Sequence, residues 1–228
     1  MEKIDLVVTT CDRNDLLEKT LRSFVKYNKY PIERMYIRDD SGLKNVYEEI
    51  IGLLLTLKLP FPFTVLGVEQ IGQTESLDRL MRVTTSPYIF HTEEDWEYYK
   101  EGFIEKSLTI LKNDIQISQV WIRSKDDSIM AKVGEKRKIG KVVYNLVKRN
   151  GNSKGWSFNP HLKRKEDYRI PYSKLVTDKL YGEAIIGIYY KSLGFETAWL
   201  TEGYVKHIGQ NKSTYRPGTP YREGAKKV

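Results

Sequence analysis

Cysteine is almost absent from this 228-residue chain: Cys11 stands alone, so no intramolecular disulfide can hold the fold. Histidine is nearly as scarce. His91, His161 and His207 are the whole complement, which excludes a Cys/His zinc cluster. Long apolar runs are missing too, because the most apolar stretch, about residues 50–66, is interrupted by Lys58, Pro60 and Pro62. No segment therefore reads as a membrane span. Met1-Glu2-Lys3-Ile4-Asp5 lacks the pattern of a signal peptide, and no internal repeat or low-complexity tract divides the chain. These absences predict a soluble, cytoplasmic protein in a reducing compartment, long enough to bury a sizeable core without staples.

Charge is plentiful but unevenly spread. Of the net +8, residues 1–120 contribute −5, from 15 basic against 20 acidic side chains, and residues 121–228 contribute +13, from 23 against 10. Arg137-Lys138, Lys163-Arg164-Lys165 and Lys226-Lys227 are groups that would attract phosphates, an anionic acceptor or the surface of a membrane. A solvated lysine-rich surface is the better account of most of them. No nucleic-acid-binding module accompanies them, so nucleic acid is not expected as a partner.

The first half alternates strand and helix patterns. Ile4–Thr10 reads as a buried strand, and a helix from about Asp15 to Tyr27 places Leu16, Leu17, Leu21 and Phe24 on one face. A strand over residues 35–38 runs into Asp39-Asp40-Ser41-Gly42, a second helix covers about 46–57, and a strand covers 63–68. A third helix, about 73–83, leads to the strand Pro87-Tyr88-Ile89-Phe90. Repeated β-α units of this length predict an α/β fold with a mostly parallel central sheet and helices on both faces. The second half is less regular. It suggests a helix near 100–111, a strand over 118–123, a hairpin or loop within 132–155, a helix over 181–192 and a strand over 195–200, then an irregular tail from 210.

Ligands of such sheets bind beyond the carboxyl ends of the strands, and the informative polar residues fall there. Thr10-Cys11-Asp12-Arg13 follows the first strand, Asp39-Asp40-Ser41 the second, and Glu93-Glu94-Asp95 the fourth. If the last triplet stays extended, Glu93 and Asp95 share a face and Glu94 points away. Two such oxygen donors suit a divalent metal and, through it, a phosphorylated substrate. A solvated acidic loop would look the same in isolation.

With these motifs in order, the chain resembles the GT-A-fold glycosyltransferases, particularly family 2-like nucleotide-sugar transferases, over about residues 4–209. Val7-Val8-Thr9-Thr10-Cys11-Asp12-Arg13 looks like the family's first strand and nucleotide loop, Arg38-Asp39-Asp40-Ser41-Gly42 like its base-binding motif, and Glu93-Glu94-Asp95 like its metal-binding acids. Gly203-Tyr204-Val205-Lys206-His207-Ile208-Gly209 is similar to the late segment that supplies a further metal or phosphate contact.

The resemblance implies one GT-A-like domain over 1–228, with a nucleotide-binding half to about 98, an acceptor-side half over about 99–209 and a basic tail. It implies a metal-dependent transfer of sugar from a nucleoside diphosphate, a UDP-sugar first, to an acceptor hydroxyl with inversion. Asp95 and His207 would hold Mn2+ or Mg2+, and Glu93 would touch the metal or the ribose. Thr10, Arg13, Asp39, Asp40, Ser41, Asp78, Arg79 and Glu94 would border the nucleotide. Glu183, eleven residues before Gly194-Phe195, is the expected general base, ahead of Glu166-Asp167. Trp96, Trp156, Phe158 and Asn159 would line the acceptor pocket. Two other classes stand beside this reading: a nucleotidylyltransferase, for which Thr9-Thr10-Cys11-Asp12-Arg13-Asn14 lacks the usual glycine, and a non-catalytic binder of polyanions.

Overall fold

The structure, a computed structural model, describes residues 2–127, 131–148, 155–176 and 182–209. Its first half alternates β1 (Ile4–Thr10), α1 (Asn14–Tyr27), β2 (Ile32–Asp39), α2 (Lys44–Leu57), β3 (Phe63–Val65), α3 (Gln73–Val83) and β4 (Tyr88–Glu93). There follow β5 (Trp96–Tyr98), α4 (Phe103–Asn113), β6 (Ile117–Trp121) and the hairpin β7 (Lys132–Ile139) and β8 (Val142–Lys148). The chain continues through β9 (His161–Arg164), the short helices of Lys165–Asp167 and α5 (Tyr172–Leu175), then α6 (Gly182–Ser192), β10 (Glu196–Leu200) and β11 (Val205–His207). The expected tail from 210 lies outside the described residues.

Nine strands form one sheet in the order β3-β2-β1-β4-β9-β6-β10-β8-β7, while β11 and β5 pair separately. Strands β1 to β4 are mutually parallel, as are β6 and β10, and β9 and β8 run against their neighbours. Every residue of β1 is buried, as a strand covered on both faces must be. Helices α1, α2 and α4 cover one face with Leu17, Leu21, Phe24, Ile50, Leu54 and Phe103. The other face packs Leu77, Leu80 and Met81 of α3 and Ile186 and Tyr190 of α6.

Two expectations are corrected here. The strand expected to reach Val68 ends at Val65, because the following backbone arches over the end of β2, where Gly67 O accepts from Asp39 N and Val68 O from Gly42 N. Lys163 and Arg164 are not surface cations. They sit in β9, a strand without an apolar pattern, because their charges are met inside: Lys163 Nζ donates to Tyr172 Oη at 2.6 Å, and Arg164 donates to the carbonyls of Leu111, Ile115 and Ile117 and pairs with Asp167 at 3.0 Å.

Buried carboxylates also tie loops to strands. Asp5 Oδ2 accepts from Thr85 N and Ser86 N, which fixes the start of β4 beside β1. Below the site, Phe24 meets Phe61, Phe90, Tyr98 and Phe103 with ring centroids 5.2–6.3 Å apart. Removing that ring opens a cavity among fixed neighbours. Phe24→Ala should cost about 3–5 kcal/mol of unfolding free energy in urea titrations; a loss below about 1 kcal/mol would show that the cluster closes over the gap.

Candidate active site

The parallel register brings three strand ends level. Thr10 pairs with Asp39 and Thr9 with Glu93, so the loops after β1, β2 and β4 meet at one edge of the sheet. Asp12, in the first of these loops, takes a left-handed φ of 50° to turn the chain into α1, and Arg13 is that helix's N-cap residue. Beyond Glu93 the strand alternation is broken by a turn at Glu94 and Asp95. Thr20 of α1 pins that turn, donating to Glu94 O at 2.5 Å and accepting from Trp96 N at 3.2 Å.

The turn changes which acids meet. Instead of Glu93 and Asp95 sharing a face, Glu94 and Asp95 share one guanidinium: Arg13 donates through Nε (2.7 Å) and Nη2 (2.6 Å) to Glu94 Oε1, and its Nη2 lies 3.0 Å from Asp95 Oδ2. Glu94 Oε1 also accepts from Cys11 N. From the far end of the chain, β11 pairs with β5 and sets His207 opposite Trp96, with His207 Nε2 3.1 Å from Asp95 Oδ2. Ile208 N donates to Asp95 O, and a Cβ at Gly209 would lie 2.4 Å from Asp95 Oδ2, so only glycine fits there. Asp95 Oδ1 is buried without a hydrogen-bond partner.

Glu93 accepts from Gln73 Nε2 at 2.7 Å, at the start of α3. Glu183 lies in the first turn of α6, where Oε1 accepts from Ser157 Oγ (2.9 Å) and Phe158 N (2.8 Å). Arg123, just past β6, places its guanidinium 5.1 Å from the Trp96 ring centre and donates to Asp127 O, while Asp127 Oδ2 accepts from His207 N at 3.3 Å.

Electrostatics follow from this crowding. Burial pushes the Glu93 carboxyl well above its ordinary value, reinforced by Asp95, Glu94 and Glu183. Glu94 is pushed up to about 7 by burial, with Asp95 adding to the shift and Arg13 opposing it. Asp95 goes the other way: burial opposes its charge, but His207 and Arg13 outweigh it and hold the carboxyl below the usual range. Glu183 is an exposed residue at the start of α6, yet the protein atoms crowding its carboxyl raise it by desolvation, against the pull of Phe158 N, Ser157 and Arg123.

Other expected site residues are placed differently. Asp39 is fully buried, with Oδ2 accepting from Asp12 N and Oδ1 from Ser41 N, and Asp40 accepts from Ile71 N, Gly72 N and Ser76 Oγ. Both carboxylates thus anchor the loops that follow β1, β2 and β3. Asp78 joins α3 to α5 by accepting from Tyr168 Oη, Tyr172 N and Ser173 N, and Arg79 pairs on the surface with Glu75. Trp96 and Trp156 are buried: Trp96 lies between His207 and Arg123, and Trp156 packs on Phe158 and Tyr172. Asn159 caps the segment against Glu183, its N donating to Ser157 Oγ. Glu166 and Asp167 follow Arg164, which pairs with Tyr88 at the opposite end of β4. Thr10, buried, stands at the end of β1. Gln73, Arg123, Asp127 and Ser157 were not expected; Arg123 follows a strand end, so the rule that found the acids also applied to it.

No family model and no curated protein matches the sequence. Solved structures do. Mannosyltransferase PcManGT from Pyrobaculum calidifontis, in complex with GDP-Man and Mn2+, aligns with 92% of this chain and 58% of its own length, at TM-score 0.62 and 13% identity. S. aureus TarS aligns with 92% of this chain and 37% of its own at TM-score 0.57 and 13% identity, and its 1-349 segment with 91% and 60% at the same score and identity. The chain has a GT-A-type glycosyltransferase fold. It spans between about two fifths and three fifths of the length of these structures.

Among the described residues, no group of three or more His, Cys, Asp or Glu side chains could hold a metal ion. The orphaned Asp95 Oδ1 and the adjacent His207 Nε2 nevertheless fit a cation held by two side chains, the remaining positions being left to water and phosphate oxygens.

The raised carboxyls set a pH dependence. A carboxyl that titrates higher folded than unfolded stabilises the fold fully below its unfolded pKa, and that contribution is lost as pH rises through the folded value, about 7 for Glu94. The free protein's melting temperature should therefore rise as pH falls from about 8 to about 6, and Glu94→Gln should flatten part of that slope. An identical slope in the variant would mean that Glu94 is ionised throughout.

Proposed function

We propose that this protein is a glycosyltransferase that moves a sugar from a nucleoside diphosphate donor to an acceptor hydroxyl. The observation that carries this reading is the meeting of Arg13, Glu94, Asp95 and His207 at the carboxyl edge of a GT-A sheet. Fold alone does not fix chemistry, but this corner has the groups that a diphosphate leaving group requires. Asp95 and His207 would hold a divalent cation, with Glu93 beside it, and Mn2+ suits the mixed carboxylate and imidazole set. When bound, that cation supplies Lewis-acid neutralisation of the charge that develops on the departing diphosphate.

The chain's own residues would do the rest. The loops anchored by Asp39 and Asp40 shape the base and ribose side, and Ser41 and Thr10 stand at the same strand ends. Glu183 takes the proton of the acceptor hydroxyl as that oxygen attacks the anomeric carbon and the bond to the diphosphate oxygen breaks. Attack from the opposite side inverts the configuration. The raised Glu183 carboxyl matches this task, because a base titrating nearer to neutral pH accepts a proton more readily. A UDP-sugar is the donor tested first, with GDP in parallel because PcManGT is described with GDP-Man. The acceptor reading includes an anionic or membrane-borne hydroxyl, favoured by the exposed basic face of β7 with Lys132 and Lys136. Among the described residues no helix is long and apolar enough to cross a membrane.

Calorimetric titration of UDP, GDP, dTDP and CDP, each with Mn2+ and with EDTA, should show one nucleotide whose binding needs the metal. Binding of none of the four to the folded protein would remove the reading. Once a donor is known, Asp95→Ala should lower turnover at least about 100-fold. Glu183→Gln should lower kcat by about 10²–10⁴ while leaving nucleotide binding intact, and in the wild type kcat should fall on the acid side as Glu183 becomes protonated. Full turnover in Glu183→Gln would assign the base elsewhere.

A further inference from the structure

The donor reading leaves one contact unexplained. A diphosphate needs positive charge, yet Arg13, the cation nearest the acids, is already engaged: its Nε and Nη2 grip Glu94 Oε1 at 2.7 and 2.6 Å, and Nη2 reaches Asp95 Oδ2 at 3.0 Å. A planar guanidinium spanning two carboxylates is a strong, directional contact. It places a positive charge beside the one carboxylate that also meets His207, and a cation approaching the bare Asp95 Oδ1 would be repelled by it.

We propose that Arg13 is the resident counter-ion of this corner and yields Asp95 to a divalent cation only when a diphosphate is present to take up its guanidinium, so that cation and diphosphate bind as a pair. The inference rests on the donor reading above.

Three features support it. The Arg13 side chain is 15% exposed, against 4% for Glu94, so of the two partners the guanidinium is the one that solvent, and with it a ligand, can reach. Arg13 lies in the short connection between β1 and α1, next to the left-handed Asp12, at a strand end where phosphates bind in sheets of this kind. Glu94 keeps Cys11 N as a donor when the guanidinium shifts, so the buried carboxylate is not abandoned. A divalent cation would in turn replace the charge that Asp95 loses. The exchange keeps each carboxylate paired, and it couples the two ligands reciprocally.

The test is binding rather than turnover. Mn2+ alone would be titrated into wild type and Arg13→Met and followed by the loss of the free Mn2+ electron paramagnetic resonance signal. UDP, GDP, dTDP and CDP would then be titrated calorimetrically with and without Mn2+. Wild type should bind Mn2+ alone weakly, Arg13→Met should bind it at least about tenfold tighter, and the gain in diphosphate affinity on adding Mn2+ should shrink at least about tenfold in the variant. Should Arg13→Met fail to fold, Arg13→Lys, which keeps the charge but loses the fork, should show the same changes at about threefold. Unchanged or weaker Mn2+ binding in the variant, with diphosphate binding intact in wild type, overturns the role of Arg13. Failure of all four nucleoside diphosphates to bind wild type with Mn2+ removes the donor reading itself, and the pairing with it.

Discussion

Five carboxylates, Glu93, Glu94, Asp95, Asp127 and Glu183, gather at one corner of the sheet, and two guanidinium groups hold that corner together. Arg13 spans Glu94 and Asp95, and Arg123 lies against Trp96 and holds the Asp127 segment. Without the cations, Glu94 and Asp95, the two buried members of the group, would repel one another and neutralise by taking up protons. The Arg13 guanidinium shows the strength of the arrangement: burial works against its charge, yet Glu94 and Asp95 raise its pKa above the ordinary value. The geometry of the acid turn, the reach of the late strand and the position of Asp95 all depend on this balance.

A second set of carboxylates is used as backbone clamps. Asp5, Asp39, Asp40 and Asp78 each accept two or more bonds, mostly from backbone N–H groups of loops. Side chain and backbone satisfy one another, so the loops around the site are fixed without regular structure of their own. The corner can therefore hold its acids in place while its loops remain short.

Much of the architecture was legible because the first half obeys simple periodicities. The run Ile4–Thr10 and the apolar face of α1 are read directly, and the rule that ligands gather at strand ends points to Thr10, Asp39 and Glu93. Strand β9 was not legible. A four-residue segment, His-Leu-Lys-Arg, looks like a charged loop until Tyr172 and the carbonyls of Leu111, Ile115 and Ile117 are seen to receive its cations. The partners of Asp95 were half legible: His207 was found through resemblance, whereas the contacts of Arg13 to Glu94 and Asp95 were not foreseen. A turn that breaks strand alternation at Glu94 cannot be read from spacing, because it is imposed by Thr20 on a neighbouring helix. Trp96 and Trp156 illustrate the same limit, since aromatic residues near a site serve the core as readily as a ligand.

The pairing of β11 with β5 joins segments about 110 residues apart in the chain, and it is this pairing that sets His207 and Gly209 against Asp95. Contacts so distant in sequence form late, because the loop between them must close first. During synthesis the strands β1, β2 and β4 emerge well before β11, so the acid turn waits, open to water, for its last side. A nascent chain halted before His207 would lack the imidazole that meets Asp95. Completion of the site is thereby tied to completion of the fold, and incomplete chains are held short of the finished corner.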